Sequence, residues 1–279
     1  MKNKIIAAAV AMILILICFL PGIFFFNQKK TADYEILCMG DSVMAGYYKA
    51  GTIPYLLQEK SGRKTLNAAF GGMSMCETLA EAAPGNTTPV FSMVELSKSF
   101  LNGDFSLQIL ANKSGSYTYP EGWNTASREL QKTDLKKVKY IIVEHGVNDY
   151  LTGAPVDDLS DRYNTYTFGG ALRTVIENLQ KALPDAVIVL ATPIYTWLDY
   201  SEQDCYTKDF GGGTLPEYVA KEMEIASEYG IICVDNFHES GINADNYKSY
   251  LYDGLHTLEE ANEILADNIL NHVEEMIKK

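Results

Sequence analysis

Residues 36–46 read Ile36-Leu37-Cys38-Met39-Gly40-Asp41-Ser42-Val43-Met44-Ala45-Gly46, an apolar run that stops at a glycine, an acid and a serine. A short apolar run bounded by turn residues fits a strand buried on both faces of a parallel sheet. The break then fits the loop at the carboxyl end of that strand. Ser42 either caps the helix that follows, as serines after strands do, or stands at the strand end to perform chemistry.

Working outward, the apolar run at 34–39 has four counterparts, at 64–68, 138–144, 186–191 and 231–234. Helical patterns lie between and after them, at 53–61, 89–101, 125–135, 169–183, 215–229 and 258–277. The second of these has Thr88 placed as a cap and Pro89 in its first turn. Leu172, Val175, Ile176 and Leu179 follow i, i+3, i+4, i+7 spacing and make one stripe. No internal repeat or low-complexity tract interrupts the series. Alternating strands and helices predict an α/β fold, a doubly wound sheet with helices on both faces. Ligands of such sheets bind beyond the carboxyl ends of the strands. The residues delivered there are Gly40-Asp41-Ser42, then Asn67 to Gly72, then His145-Gly146-Val147-Asn148-Asp149, then Thr192-Pro193-Ile194-Tyr195. Asp253-Gly254-Leu255-His256 comes shortly before the last helix.

Acyl transfer through a serine needs a base for the hydroxyl proton, a group that orients the base, and donors for the developing oxyanion. Asp253 and His256 are three apart, so in a turn they face the same way. The carboxylate can hold one ring nitrogen and aim the other at Ser42. Asn148 can offer a side-chain N–H, and Ser42 and Gly72 backbone N–H groups. Of the other histidines, His145 lies near the rim, His238 in a loop and His272 on the last helix, and none has this local arrangement. Asp41 is expected to bond loop amides. The triple glycine 211–213 reads as a flexible loop, with a lid hinge as the alternative.

The blocks GDS at 40–42, NAAFGG at 67–72, GVND at 146–149 and DGLH at 253–256 resemble those of the SGNH hydrolases, the GDSL esterase/lipase superfamily. Each is common alone; the four in this order are specific, and they span 34 to the C-terminus. The resemblance implies a flavodoxin-like three-layer α/β/α fold with a five-stranded parallel sheet of order 2-1-3-4-5. It implies ester hydrolysis without metal or cofactor. It also implies Ser42 as nucleophile, Asp253 and His256 as the rest of the triad, and Ser42, Gly72 and Asn148 as the oxyanion hole. Val43 replaces the leucine of the GDSL name. Thr257-Leu258-Glu259-Glu260-Ala261-Asn262 stands where the family often has a proline and a later glycine, which bears on how the last helix starts.

The chain has 279 residues, enough for one large domain. Lys2 and Lys4 precede 22 uncharged residues from Ile5 to Phe26. As a helix this run extends roughly 33 Å, about the hydrocarbon thickness of a bilayer. No A-x-A-like cleavage site follows, so 1–30 reads as a signal anchor and 31–279 as a catalytic domain outside the cytoplasm. Secretion after cleavage is the alternative. Residues 1–30 hold four lysines and no acid, which leaves a formal charge of −17 on the rest. Such a domain repels nucleic acid. Cys38, Cys76, Cys205 and Cys233 show no C-x-x-C spacing, and a disulfide among them stays open.

Two aromatic groups, Tyr163, Tyr166 and Phe168, and Tyr195, Trp197, Tyr200 and Tyr206, are interleaved with polar residues. Tyr195, Trp197 and His145 are expected to border the substrate, which suits small acyl esters of glycans; local packing is the competing reading. Two other functions fit the same rim. One is O-acyl transfer through the same triad. The other is a non-catalytic flavodoxin-like binding module, against which stands the absence of G-x-G-x-x-G and G-x-x-x-x-G-K-[ST]. The acyl chain, the alcohol and the oligomeric state are not legible.

Overall fold

The structure is a computed structural model that describes residues 30–46, 51–77, 89–112, 121–198 and 202–277. Its centre is a parallel sheet of β1 (Ile36–Gly40), β2 (Thr65–Asn67), β3 (Tyr140–Glu144), β4 (Val187–Ala191) and β7 (Ile232–Val234), in the order β2-β1-β3-β4-β7. As the fifth strand of the sheet, β7 gives the expected 2-1-3-4-5 order. The strands are buried because helices cover both faces. Leu37, Met39, Ile141, Val143, Val189 and Leu190 have at most 1% of their surface exposed. Full burial of one such side chain contributes about 1.5–3 kcal/mol. An additional two-stranded antiparallel hairpin, β5 (Trp197–Leu198) with β6 (Gln203–Asp204), lies beyond β4 and was not legible as strand.

The helices are α1 (Ser42–Ala45), α2 (Ile53–Ser61), α3 (Met93–Asn102), α4 (Ser106–Ala111), α5 (Glu121–Lys132), α6 (Val147–Thr152), α7 (Phe168–Ala182), α8 (Leu215–Tyr229), α9 (Asn236–Glu239) and α10 (Glu259–Ile277). They pack in two groups: α2 against α10, and α7 against α3 and α8. Right-handed crossovers explain this division, since β1 to β2 runs one way across the sheet and β3 to β4 to β7 the other. The predicted stripe of α7 faces the core, with Leu172, Val175, Ile176 and Leu179 all fully buried. Within 89–101, Pro89–Phe91 is a separate 3-10 turn. Ser92 then caps α3 by accepting the Glu95 N–H at 3.2 Å, where Thr88 had been expected. Thr88 lies outside the described residues. The altered sequence after His256 does not disturb α10, which begins at Glu259.

Residues 1–29, which contain the expected membrane span, lie outside the described residues. Among the described residues no helix is long and apolar enough to cross a membrane. Cys38, Cys76, Cys205 and Cys233 are all free thiols, so no disulfide joins them. The triple glycine is held by its neighbours. Asp209 Oδ1 accepts the Gly211 and Gly213 N–H groups at 2.6 and 2.9 Å. A Cβ on Gly212 would collide with the Ala154 carbonyl and the Tyr218 hydroxyl.

Candidate active site

Gly40 closes β1 opposite Glu144 of β3. A side chain there would press within 2.7 Å of the Glu144 carbonyl and of Met44 Cβ, so only glycine lets the chain turn sharply. Asp41 follows as N-cap of α1, its Oδ1 accepting the Val43 N–H at 2.9 Å. Ser42 is therefore not the cap of the helix, a place that Asp41 takes. Ser42 occupies the first helical turn after a strand, and the residue is partly exposed.

The rim brings the distant histidine to it. His256 Nε2 lies 2.9 Å from Ser42 Oγ, and His256 Nδ1 lies 2.6 Å from Asp253 Oδ2. Asp253 also holds its own loop, its Oδ1 accepting the backbone N–H groups of Leu255 at 3.1 Å and His256 at 2.7 Å. Burial raises the Asp253 pKa, but these hydrogen bonds and the facing ring outweigh it, so the net shift is downward. The carboxylate is thus kept ionised beside the ring. Gly254 turns with φ +80°, a left-handed conformation that glycine adopts without steric cost. Its carbonyl accepts the Trp197 N–H at 2.8 Å. Trp197 itself stacks on Tyr247 with centroids 5.4 Å apart. The Tyr252 ring stacks on the His256 imidazole at 5.4 Å and 16°.

The second block reaches Ser42 through an extension of the sheet, with the Phe70 N–H donating to the Gly40 carbonyl at 2.9 Å. The Met73 N–H closes a turn on the Phe70 carbonyl at 3.0 Å, and Gly72 sits in that turn with φ +78°. A Cβ on Gly71 would lie 3.6 Å from Ser42 Cβ, which places the turn against the nucleophile candidate. The third block secures the same turn. Asn148 Nδ2 donates to the Met73 carbonyl at 3.2 Å. Asp149, fully buried, accepts the Met75 and Cys76 N–H groups, each at 2.9 Å. Asp149 is therefore more than a turn residue, a role that its place beside Asn148 did not disclose.

Other expectations need correction. Tyr195 and His145 are only 2% and 1% exposed, so neither offers a face to a substrate. Burial lowers the His145 pKa to about 3, with the Met73 backbone opposing, and the ring is neutral. Trp197 is partly exposed, but one face is taken by Tyr247 and its backbone holds Gly254. Phe168 is core, Tyr163 donates to Glu177 at 2.6 Å, and Tyr200 lies outside the described residues. His238 pairs with Asp235 at 2.8 Å, a second acid–histidine pair at i, i+3, on the exposed start of α9. His272 Nδ1 meets the Asn268 carbonyl at 2.9 Å. Among the described residues no group of histidine, cysteine and acidic side chains has the arrangement of a metal site.

The profile of the GDSL-like lipase/acylhydrolase family matches residues 38–264. The chain belongs to that family. A GDSL esterase/lipase of Arabidopsis thaliana is 27% identical over 124 residues, 41% of this chain and 48% of the relative. The chain thus spans about half the length of the curated relative it matches. Among solved structures, a protein of Lactobacillus plantarum superposes with a TM-score of 0.60 at 15% identity, covering 88% of this chain and 98% of the other. A "possible lipase" of Chitinophaga pinensis gives 0.55 at 17%, covering 86% and 98%. At such identities the structures share the fold. The four GDSL-family blocks are the segments that converge on the rim.

Proposed function

We propose that the protein is a serine ester hydrolase in which Ser42, His256 and Asp253 form the triad. The observation that carries this reading is the unbroken chain from Ser42 Oγ through His256 to Asp253, at 2.9 and 2.6 Å. In the first half-reaction Ser42 Oγ bonds to the ester carbonyl carbon while its proton passes to His256 Nε2. Asp253 stabilises the imidazolium at Nδ1. The carbonyl oxygen becomes an oxyanion, met by the Ser42 and Gly72 amides and the Asn148 side chain. The C–O bond to the alcohol breaks, and the alcohol oxygen takes the proton from Nε2. Water then repeats the sequence against the acyl-serine, releasing the acid and restoring the Ser42 hydroxyl.

Small acyl esters, acetyl groups on glycans foremost, are the proposed substrates. Supporting this, Tyr206 and Tyr252 expose 52% and 53% of their surface on elements of the rim, offering aromatic faces with hydroxyls for sugar rings. The strongly acidic domain also disfavours anionic surfaces as substrates. The charge-free run near the N-terminus supports attachment to a membrane with the domain outside the cytoplasm.

Ser42→Ala should lower p-nitrophenyl acetate turnover by about 10⁴-fold or more. Wild-type turnover in that variant would refute the assignment. Acetylated sugars compared with p-nitrophenyl esters of increasing chain length test the substrate class. Product formed with and without an acceptor sugar separates hydrolysis from acyl transfer.

A further inference from the structure

Two acidic side chains lie directly beneath the nucleophile turn, and the mechanism above uses neither. Asp41 is fully buried and Glu144 is 3% exposed. Because Gly40 pairs with Glu144 across β1 and β3, the residue after Gly40 stands beside the end of β3. Asp41 Oδ1 takes the Val43 N–H at 2.9 Å, and Glu144 takes the Met44 N–H. These are the two amides that follow Ser42 in α1. One oxygen of each carboxyl remains, Asp41 Oδ2 and Glu144 Oε2, and both are buried without a hydrogen-bond partner. The two side chains lie within hydrogen-bonding reach of each other.

Two ionised carboxylates do not share a dry site, because each desolvated charge raises the cost of the other. A single proton between them removes one charge and satisfies both orphaned oxygens. We propose that Asp41 and Glu144 share one proton, and that this acid pair is a positioning device that holds the Val43 and Met44 amides and so fixes the turn bearing Ser42. The proposal rests on Ser42 being the nucleophile.

The surroundings favour retention of the proton. Asp149 on α6 disfavours ionisation of Asp41, and Glu222 on α8 disfavours that of Glu144. Glu222 is itself buried with one oxygen unpartnered. The Asn148 amide approaches Asp41 and favours its charged form, opposing the others. His145, adjacent to Glu144, is buried and neutral. The His256–Asp253 pair meets Ser42 through its hydroxyl, at 2.9 Å from Oγ to Nε2. Burial, reinforced by the neighbouring charges, pushes both carboxyls upward. Alkaline pH removes the shared proton, sets two like charges under Ser42, and loosens the turn.

Glu144→Gln replaces the shared proton with a permanent amide hydrogen; Glu144→Ala removes the partner. The alanine variant should lose about tenfold to hundredfold in kcat with KM little changed, the cost of a misplaced reacting group. The glutamine variant should restore kcat at neutral pH and keep activity at alkaline pH where the wild type declines. The infrared difference spectrum between wild type and Glu144→Gln at neutral pH should show the loss of one protonated carboxyl band. An unchanged band, as when a water bridges the two oxygens, overturns the proposal. So does a glutamine variant whose alkaline limb superposes on the wild type's. If the alanine variant does not fold, the glutamine comparison decides alone. The infrared reading needs no turnover, so failure of the pair and failure of the esterase reading are distinguishable.

Discussion

Gly254→Ala adds one methyl group at the point where the Asp253–His256 loop touches its support. The φ of +80° at this position costs an L-residue about 1–2 kcal/mol. The larger effect is steric. The new Cβ would overlap the Trp197 carbonyl oxygen, and Trp197 Cβ lies 3.4 Å away on the same side. The two segments must separate by about 1 Å, a displacement that in a reacting group costs on the order of 100-fold. That separation breaks the 2.8 Å bond from the Trp197 N–H to the Gly254 carbonyl and carries Asp253 and His256 with it. In barrier terms the loss is about 2.7 kcal/mol. Steady-state hydrolysis of p-nitrophenyl acetate measures it, with thermal unfolding as the control for fold. The account expects kcat/KM to fall about 100-fold while the far-ultraviolet spectrum is retained. Wild-type kcat/KM in Gly254→Ala would refute the claim that Trp197 sets the position of the Asp253–His256 loop.

Three further outcomes follow from the packing around the site. Tyr252→Ala removes the ring stacked on His256 and should lower kcat/KM by about 2- to 12-fold, the worth of an aromatic pair at about 0.5–1.5 kcal/mol; Tyr252→Phe should retain the wild-type value, and steady-state kinetics of both variants check this. Asp149→Ala orphans the Met75 and Cys76 amides and should destabilise the fold by about 2–6 kcal/mol, at about 1–3 kcal/mol per buried unpaired group; denaturant unfolding within 0.5 kcal/mol of wild type (about the noise of a surface change) would count against it. His145 is buried neutral with its pKa lowered to about 3, so its contribution is present above the ordinary imidazole range and lost as pH falls through the folded value. Wild-type unfolding free energy should therefore fall more steeply between about pH 6.5 and 3 than that of His145→Leu, and parallel curves would contradict the assignment.

The sheet was legible because its strands are buried on both faces, which leaves near-continuous apolar runs such as 138–144 and 186–191. Helices with a clear stripe, α7 foremost, were legible for the same reason. The proximity of Ser42, His256 and Asp253 was legible because the acid and the imidazole are local to each other and the serine follows a strand. What the sequence concealed was burial at the rim. Tyr195 and His145 stand beside rim residues in the chain, yet the pleat and the turn point them inward. The β5–β6 hairpin is too short to carry an alternating pattern. Glu144 was the missed signal, a carboxyl closing an otherwise apolar strand one position short of the rim. Ser92 as the cap of α3 was hidden behind the proline at 89, which starts a separate 3-10 turn instead of the helix.

The central claim is that His256 activates the Ser42 hydroxyl. The most direct test is to treat the protein with a fluorophosphonate and map the adduct by mass spectrometry. The account predicts one stoichiometric adduct, on Ser42, formed slowly or not at all when His256 is replaced by alanine. An adduct on another residue, or labelling of Ser42 at an unchanged rate without His256, would contradict it.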